Sequence, residues 1–211
     1  GHIAAGRLAE KSADPLHPKD APLYSVFNRL HGDFAQKSLE WQTPSERIPL
    51  PSESAKPLSA ADYTRIAAEI RQALGSYRTN PSVNALLEVL EQYASFVPSG
   101  AAPDAADVSL YDHSKTAACV GSCLSEYLLA HSVSDYKTEL YENEQAFLAR
   151  KAFLLLSLDL SGIQSFIYSV DYEHALKSLR MRSFFLEIFL EHCIDTLLEA
   201  AGLTRANLIY S

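Results

Sequence analysis

The sequence predicts an α+β protein, a mainly helical N-terminal part followed by a short strand–helix–helix–strand unit. Three observations carry this expectation. Apolar residues recur at three- to four-residue spacing in several stretches between Ser59 and Gly202, the mark of amphipathic helices. Two short apolar runs, "FLLLSLDL" and "ANLIYS", bracket the last helical stretches and have the length of buried strands. Between the periodic stretches lie clusters of Pro, Gly, Ser and Asp, the residues that stop regular structure.

Residues 1–58 hold seven of the ten prolines (Pro15, Pro18, Pro22, Pro44, Pro49, Pro51 and Pro57) and little periodicity. Within them "IAAGRLAEK" reads as the end of a helix. "PLYSVFNRL" reads as a short helical turn or an extended segment, and "WQTPSERIPLPSESAKP" as loop. Ser59 then caps a helix, and Asp62 three residues on completes a capping box. Tyr63, Ile66, Ile70 and Leu74 form its apolar stripe. "GSYRTNP" breaks that helix, and "SVNALLEVLEQYASF" makes a second one, with Val83, Leu86, Leu87, Leu90 and Tyr93 on one side. "VPSGAAPDAAD" is a linker, Val108 to about His131 a long helix, and "SVSDYKTELYENEQAFLARKA" a polar helix or loop.

At Phe153 the character changes. "FLLLSLDL" is predicted as a buried strand, Ser161-Gly162 as a turn and "IQSFIYSV" as a short helix. The stretch from His174 to Gly202 is a long amphipathic helix whose C-cap is the glycine. Phe184, Phe185, Ile188, Phe189, Leu197 and Leu198 are its predicted core face, and "ANLIYS" is a second strand. This order is compatible with half of a ferredoxin-like palm. The chain begins with Gly and ends on a run of strand character, so it reads as an excised piece of a longer protein, with Gly1 and His2 foreign to it.

Bulk properties narrow the function. With 211 residues, 47% hydrophobic and 21% charged, the chain can bury a core. A formal charge of −8 excludes coating nucleic acid by bulk charge, which rests on many Lys/Arg–phosphate contacts. Cys119, Cys123 and Cys193 are odd in number and lack C-x-x-C spacing, which argues against a disulfide framework or a zinc knuckle. No apolar run reaches the ~18–20 residues that span a bilayer, and "GHIAAGRLAE" lacks the parts of a signal peptide. A reducing, cytoplasmic location is expected.

Several polar residues stand out, each with a functional and a plain reading. Asp159 ends the first predicted strand just before a glycine turn and a helix start, where a carboxylate can hold Mg²⁺ together with substrate phosphates; alternatively it only caps the helix. Lys177, Arg180 and Arg182 sit in the first turns of the long helix, where the macrodipole disfavours cations. They meet a phosphate or RNA backbone, or they are solvated surface charge. Glu187, Glu191, Asp195 and Glu199, at four-residue spacing, read as a solvated face or the docking site of a basic partner. In "SLYDHSKTAACV", Asp112 and His113 lie side by side in a helix. The order is the reverse of the His-Asp pair of HD-type phosphohydrolases, and a metal needs about three protein ligands. The other histidines (His2, His17, His31, His131, His174 and His192) show no paired spacing.

The stretch "DLSGIQSFIYS" followed by "ALKSLRMRSFFLEIFLEHCIDTLLEAAGLTRANLIYS" resembles the first palm domain of the large signature subunit of type III-A (Csm) CRISPR effector complexes. Its D-x-SGIQ-x-FIY and LR-x-RSF elements are specific in combination. "SLYDHSKTAA" resembles the last helix of that family's circularly permuted N-terminal HD nuclease domain, and "IAAGR" with "PLYSVFNRL" the stretch after the HD core. The likeness is loose through 40–105 and tight through 108–125 and 150–211.

The resemblance implies a subunit with two activities. Its HD domain is a metal-dependent single-stranded DNA nuclease, its site metal Ni²⁺ or Mn²⁺. Its paired palms join ATP into cyclic oligoadenylate when target RNA is bound, with Mg²⁺ or Mn²⁺ held chiefly by a GGDD motif in the second palm. It also implies partners: the small subunit that caps the crRNA tag, other Csm subunits, crRNA, target RNA and single-stranded DNA. Carried onto this sequence, His113 is one HD-site metal ligand with Asp112 a non-ligating neighbour. Ser161, Gly162 and Gln164 line an ATP pocket, Asp159 is metal-proximal, and Lys177, Arg180 and Arg182 meet phosphate or RNA. The upstream His-Asp doublet and the GGDD motif are missing from these residues, so the piece alone is expected to be inactive. The implied division is an HD-region remnant over 1–58, a helical HD and connector region over 59–131, a linker over 132–150 and the first half of a palm over 151–211. Two other readings compete: a small metal-dependent phosphohydrolase centred on Asp112 and His113, and an assembly module without a nucleotide pocket.

Overall fold

The computed structural model describes residues 22–29, 37–42, 49–80, 82–100, 107–169 and 175–210. The expected helix end "IAAGRLAEK" lies outside the described residues. Helices dominate, beside one small antiparallel sheet, in keeping with the predicted α+β class. The chain divides into two compact units, Gly1–Gly121 and Ser122–Ser211.

In the first unit, β1 (Leu23–Tyr24) pairs with β2 (Ser38–Leu39), Leu23 opposite Leu39. A 3₁₀ turn, Val26–Arg29, follows β1, so the described part of that stretch, 22–29, is extended and then helical. Asn28 holds this turn to the backbone of Lys37 through its Nδ2 (2.8 Å to the carbonyl) and its Oδ1 (3.0 Å from the amide). Ser38 also bridges Ser52.

Helix α1 (Ala60–Gly75) starts on the predicted capping box: the Asp62 amide donates to Ser59 Oγ, and the Ser59 amide donates to Asp62 Oδ2 at 2.9 Å. The Ser59 hydroxyl, which donates to Asp62 Oδ2 at 2.6 Å, and then the Ser59 amide hold the Asp62 carboxyl below its usual range. The predicted stripe faces inward: Ile66 is buried with Trp41, Leu58 and Val97, and Tyr63, Ile70, Tyr93 and Phe96 pack around them. Trp41 Nε1 donates to the Tyr93 carbonyl at 2.9 Å, and the Arg65 guanidinium lies over its ring.

Helix α2 (Val83–Ala94) buries a different face from the predicted one. Ala85, Val89 and Ala94 are buried, whereas Val83 and Leu86 are exposed. The helix is apolar around most of its girth, so the largest side chains do not mark its packed side. Ala85 sits there with Val89, four residues on, so a small side chain marks the packed side. Backbone bonds Ser99 to Val108 and Leu110 to Val97 then bring the chain into α3 (Leu110–Ala130), whose second residue, Tyr111, is buried.

In the second unit, residues 132–150 form short helical turns, one of the two forms expected of this polar stretch. Asp135 accepts from the Thr138 amide and hydroxyl, which lowers its carboxyl pKa, and so starts a π turn, Thr138–Glu142. Helix α4 (Glu144–Leu148) buries Phe147 edge-on against Tyr127, and Arg150 pairs with Glu139. Helices α5 (Ile163–Tyr168) and α6 (Ala175–Ala200) stand where predicted, and Gly202, at φ 67°, closes α6 with Leu203 N–H bonded to the Leu198 carbonyl.

The two expected strands do not form ladders among the described residues. A strand is completed by a hydrogen-bonded neighbour, and neither 153–160 nor 208–210 has one. Leu154 and Leu155 are 89% and 79% exposed, against the buried strand that their apolarity predicts. The predicted core face of α6 is likewise uncovered: Phe184, Phe185, Ile188, Phe189 and Leu197 are exposed.

Candidate functional site

The turn "DLSGIQ" is positioned by local backbone geometry. Gly162 has φ 77°, the left-handed region that an L side chain enters at a cost of roughly 1–2 kcal/mol. No atom lies within 4 Å of where its Cβ would be, so conformation rather than crowding requires glycine. From Gly162 the chain enters α5, with the Phe166 amide bonded to the Gly162 carbonyl at 3.1 Å. Asp159, Ser161, Gly162 and Gln164 are all exposed. They present two hydrogen-bonding side chains, a carboxylate and an open backbone at one turn.

The far end of α5 is held by α6. Arg182 Nη1 donates to the Phe166 carbonyl and, at 2.7 Å, to Ser169 Oγ, while its guanidinium lies 5.3 Å from the Phe166 ring centroid. Phe166 in turn meets Phe185, which stacks with Phe189. Lys177 and Arg180 are exposed and make no ion pair among the described residues. Lys177, Ser178, Met181 and Arg182 line an open depression along the first turns of α6. The structure therefore separates three cations that the sequence groups together: Arg182 is engaged inside the unit, and the other two face outward.

The Asp112–His113 doublet resolves into different parts. Asp112 is the third residue of α3, and its Oδ2 accepts from Ser109 Oγ at 2.7 Å while its amide donates back to that hydroxyl at 3.0 Å. Both of these bonds also join Ser59 and Asp62, and "SLYD" carries the same S-x-x-D signal. His113 is half-buried one residue on. Beside it the Tyr111 hydroxyl donates to Glu91 at 3.4 Å. Burial first, and then the Glu91 carboxylate, push that phenol up to about 12. Among the described residues no group of three or more His, Cys, Asp or Glu side chains is assembled to hold a metal. The metal implied for His113 and Asp159 thus lacks a donor set among the described residues.

The acidic stripe of α6 has an internal function that sequence reasoning missed. Arg205, in a 3₁₀ turn (Arg205–Asn207), donates to Glu191 at 2.6 Å and to Asp195 at 2.8 Å. The ionic fork holds the Asp195 carboxyl below its usual range and the guanidinium above its own. Asn207 Nδ2 donates to Ser122 Oγ at 2.7 Å, so the turn also reaches α3. No disulfide joins the cysteines, and no described helix is long and apolar enough to cross a membrane.

Comparison with known proteins first defines a class. Residues 152–211 match the family model of Csm1 subunit domain B. A curated relative from Mycobacterium tuberculosis, the CRISPR system single-strand-specific deoxyribonuclease Cas10/Csm1 of subtype III-A, is 41% identical over 220 residues, covering 100% of this chain and 27% of the relative. The fold is similar to that of Csm1 from T. onnurineus, with a TM-score of 0.66 and 24% identity over 98% of this chain and 25% of that one. Two solved Csm1–Csm4 cassettes, one in complex with one ATP and one with cA3, match with TM-scores of 0.59 and 0.62 and identities of 27% and 26%. They cover 88% and 91% of this chain and 23% and 24% of the cassette chains. The chain belongs to the family of large subunits of type III-A CRISPR effector complexes, and it spans about a quarter of the length of these relatives.

Proposed function

We propose that this chain is the part of a type III-A large subunit that joins the end of an HD nuclease domain to the first half of a palm domain, and that it contributes a nucleotide-binding turn. The intact subunit makes cyclic oligoadenylate from ATP when target RNA binds, and cleaves single-stranded DNA through its HD domain. The observation that carries this is the coincidence of the domain B match over 152–211 with an exposed, glycine-shaped turn at Ser161, Gly162 and Gln164. The similarity to a cassette solved with ATP supports ATP as the ligand.

In this reading Ser161 and Gln164 supply hydrogen bonds and Gly162 allows close backbone approach. Asp159 lies next to the metal of the complete site, where Mg²⁺ or Mn²⁺ would neutralise phosphate charge. Lys177 and Arg180 face phosphate or RNA. His113 would supply one ligand to the HD site of the intact subunit. The chain works in the cytoplasm with other Csm subunits, including the small subunit at the crRNA tag, and with crRNA and target RNA. Alone it binds and assembles without turnover. Titration with ATP and Mg²⁺ should show binding by the wild type that Ser161→Ala weakens, and no oligoadenylate should form. Detected product would refute the inactivity of the piece. Absent or equal binding would favour an assembly module, a second reading to which the exposed apolar face of α6 lends weight.

A further inference from the structure

We infer that Arg182 is a positioning residue for the Ser161–Gln164 turn, acting through the far end of α5 rather than by touching phosphate. The inference rests on the nucleotide reading of that turn. It starts from a small helix: α5 has six residues, too few for its own hydrogen bonds to hold it in water, because helix nucleation is unfavourable and helices shorter than ~12 residues are marginal. Its orientation must come from contacts. Its last carbonyls lack intrahelical donors, and Arg182 supplies one, bonding the Phe166 carbonyl and Ser169 Oγ from the same nitrogen. The guanidinium also covers the Phe166 ring, and that ring rests on Phe185 of α6.

The consequence is geometric. α6 is 26 residues long, and its arginine grips α5 at Phe166 and Ser169. Phe166 is one helical turn from Gly162, to which its amide is bonded. A shift at the gripped end therefore moves Ser161 and Gln164. The three cations at the start of α6 differ in role. Arg182 is engaged with protein groups, whereas Lys177 and Arg180 remain directed outward.

A positioning residue and a phosphate contact differ in how they respond to the ligand. Adenosine and ATP share the base and ribose but not the phosphates. Titrating both against wild type, Arg182→Ala, Arg182→Lys and Ser169→Ala should show Arg182→Ala weakening both ligands by about fivefold, a modest net loss because both charge-assisted bonds it removes lie in a partly exposed setting. Lys at 182 should recover much of the affinity, and Ser169→Ala should give a smaller loss of the same kind. Without ligand, amide exchange over 163–169 should quicken in Arg182→Ala and recover in Arg182→Lys. If Arg182→Ala weakens ATP alone and leaves adenosine and exchange unchanged, Arg182 is a phosphate contact and the inference is overturned. If the wild type binds neither ligand, the nucleotide reading fails. The grip on α5 is then judged by exchange alone, and unchanged exchange over 163–169 overturns it.

Discussion

Replacing Ile66 by Ala tests the core of the first unit. Ile66 is 5% exposed and packs with Trp41, Leu58 and Val97. The change removes three carbons, worth about 2.4 kcal/mol at ~0.8 kcal/mol per buried CH₂. A cavity adds to this, but Tyr63, Ile70, Tyr93 and Phe96 are partly exposed and can move in, so the total is about 3 kcal/mol, inside the range for such truncations. Trp41 is the only tryptophan, so its emission reports unfolding of this unit directly. With a urea slope of roughly 2 kcal/mol per molar, the midpoint should fall by about 1.5 M. Leu86→Ala is the paired control. Leu86 belongs to the stripe that size alone predicts for α2, yet it is 42% exposed, and its truncation should cost no more than ~1 kcal/mol. Equal losses at the two positions, or a shift below about 0.3 M for Ile66→Ala, would refute the packing described for α1 and α2.

Ser109→Ala should remove the cap of α3 and lower stability by about 1 kcal/mol in a urea titration, and Asp112→Asn should lose part of the same amount if Asp112 is a cap and not a ligand. Tyr111 has a raised folded pKa, so its contribution is complete below pH 10 and is lost as pH rises towards about 12; alkaline unfolding of Tyr111→Phe should lack that loss. Asp195 has a lowered folded pKa, so its bond to Arg205 stabilises above the usual carboxylate range and is lost as pH falls below it. Asp195→Asn should flatten the acid limb of stability, followed by circular dichroism, and should leave the neutral-to-alkaline region unchanged in shape.

Local signals were legible in the sequence, and those that depend on distant partners were not. The capping box of Ser59 and Asp62, the glycine stop at Gly202 and the stripe of Tyr63, Ile66 and Ile70 each depend on residues within a few positions of one another. The cap at Ser109 was equally readable, but the neighbouring histidine drew Asp112 into a chemical reading. The packed side of α2 could not be read from size, because Ala85 marks it. The runs 153–160 and 208–210 have strand composition, yet a strand exists only with its neighbour. Arg205 binds acids 10 and 14 residues away, and Arg182 reaches back 13 and 16, separations that no helical period announces. At the candidate site, "SGIQ" is recognisable as a motif, while the arginine that grips the helix behind it reads from sequence as a phosphate or RNA contact, or as surface charge.

The uncovered leucines at 154–156 and the phenylalanines of α6 have a calorimetric consequence. Apolar surface taken out of water lowers heat capacity, whatever covers it. Any association that closes this face should therefore have an enthalpy that becomes steadily more negative with temperature. The slope of that line measures the area closed, independently of the affinity.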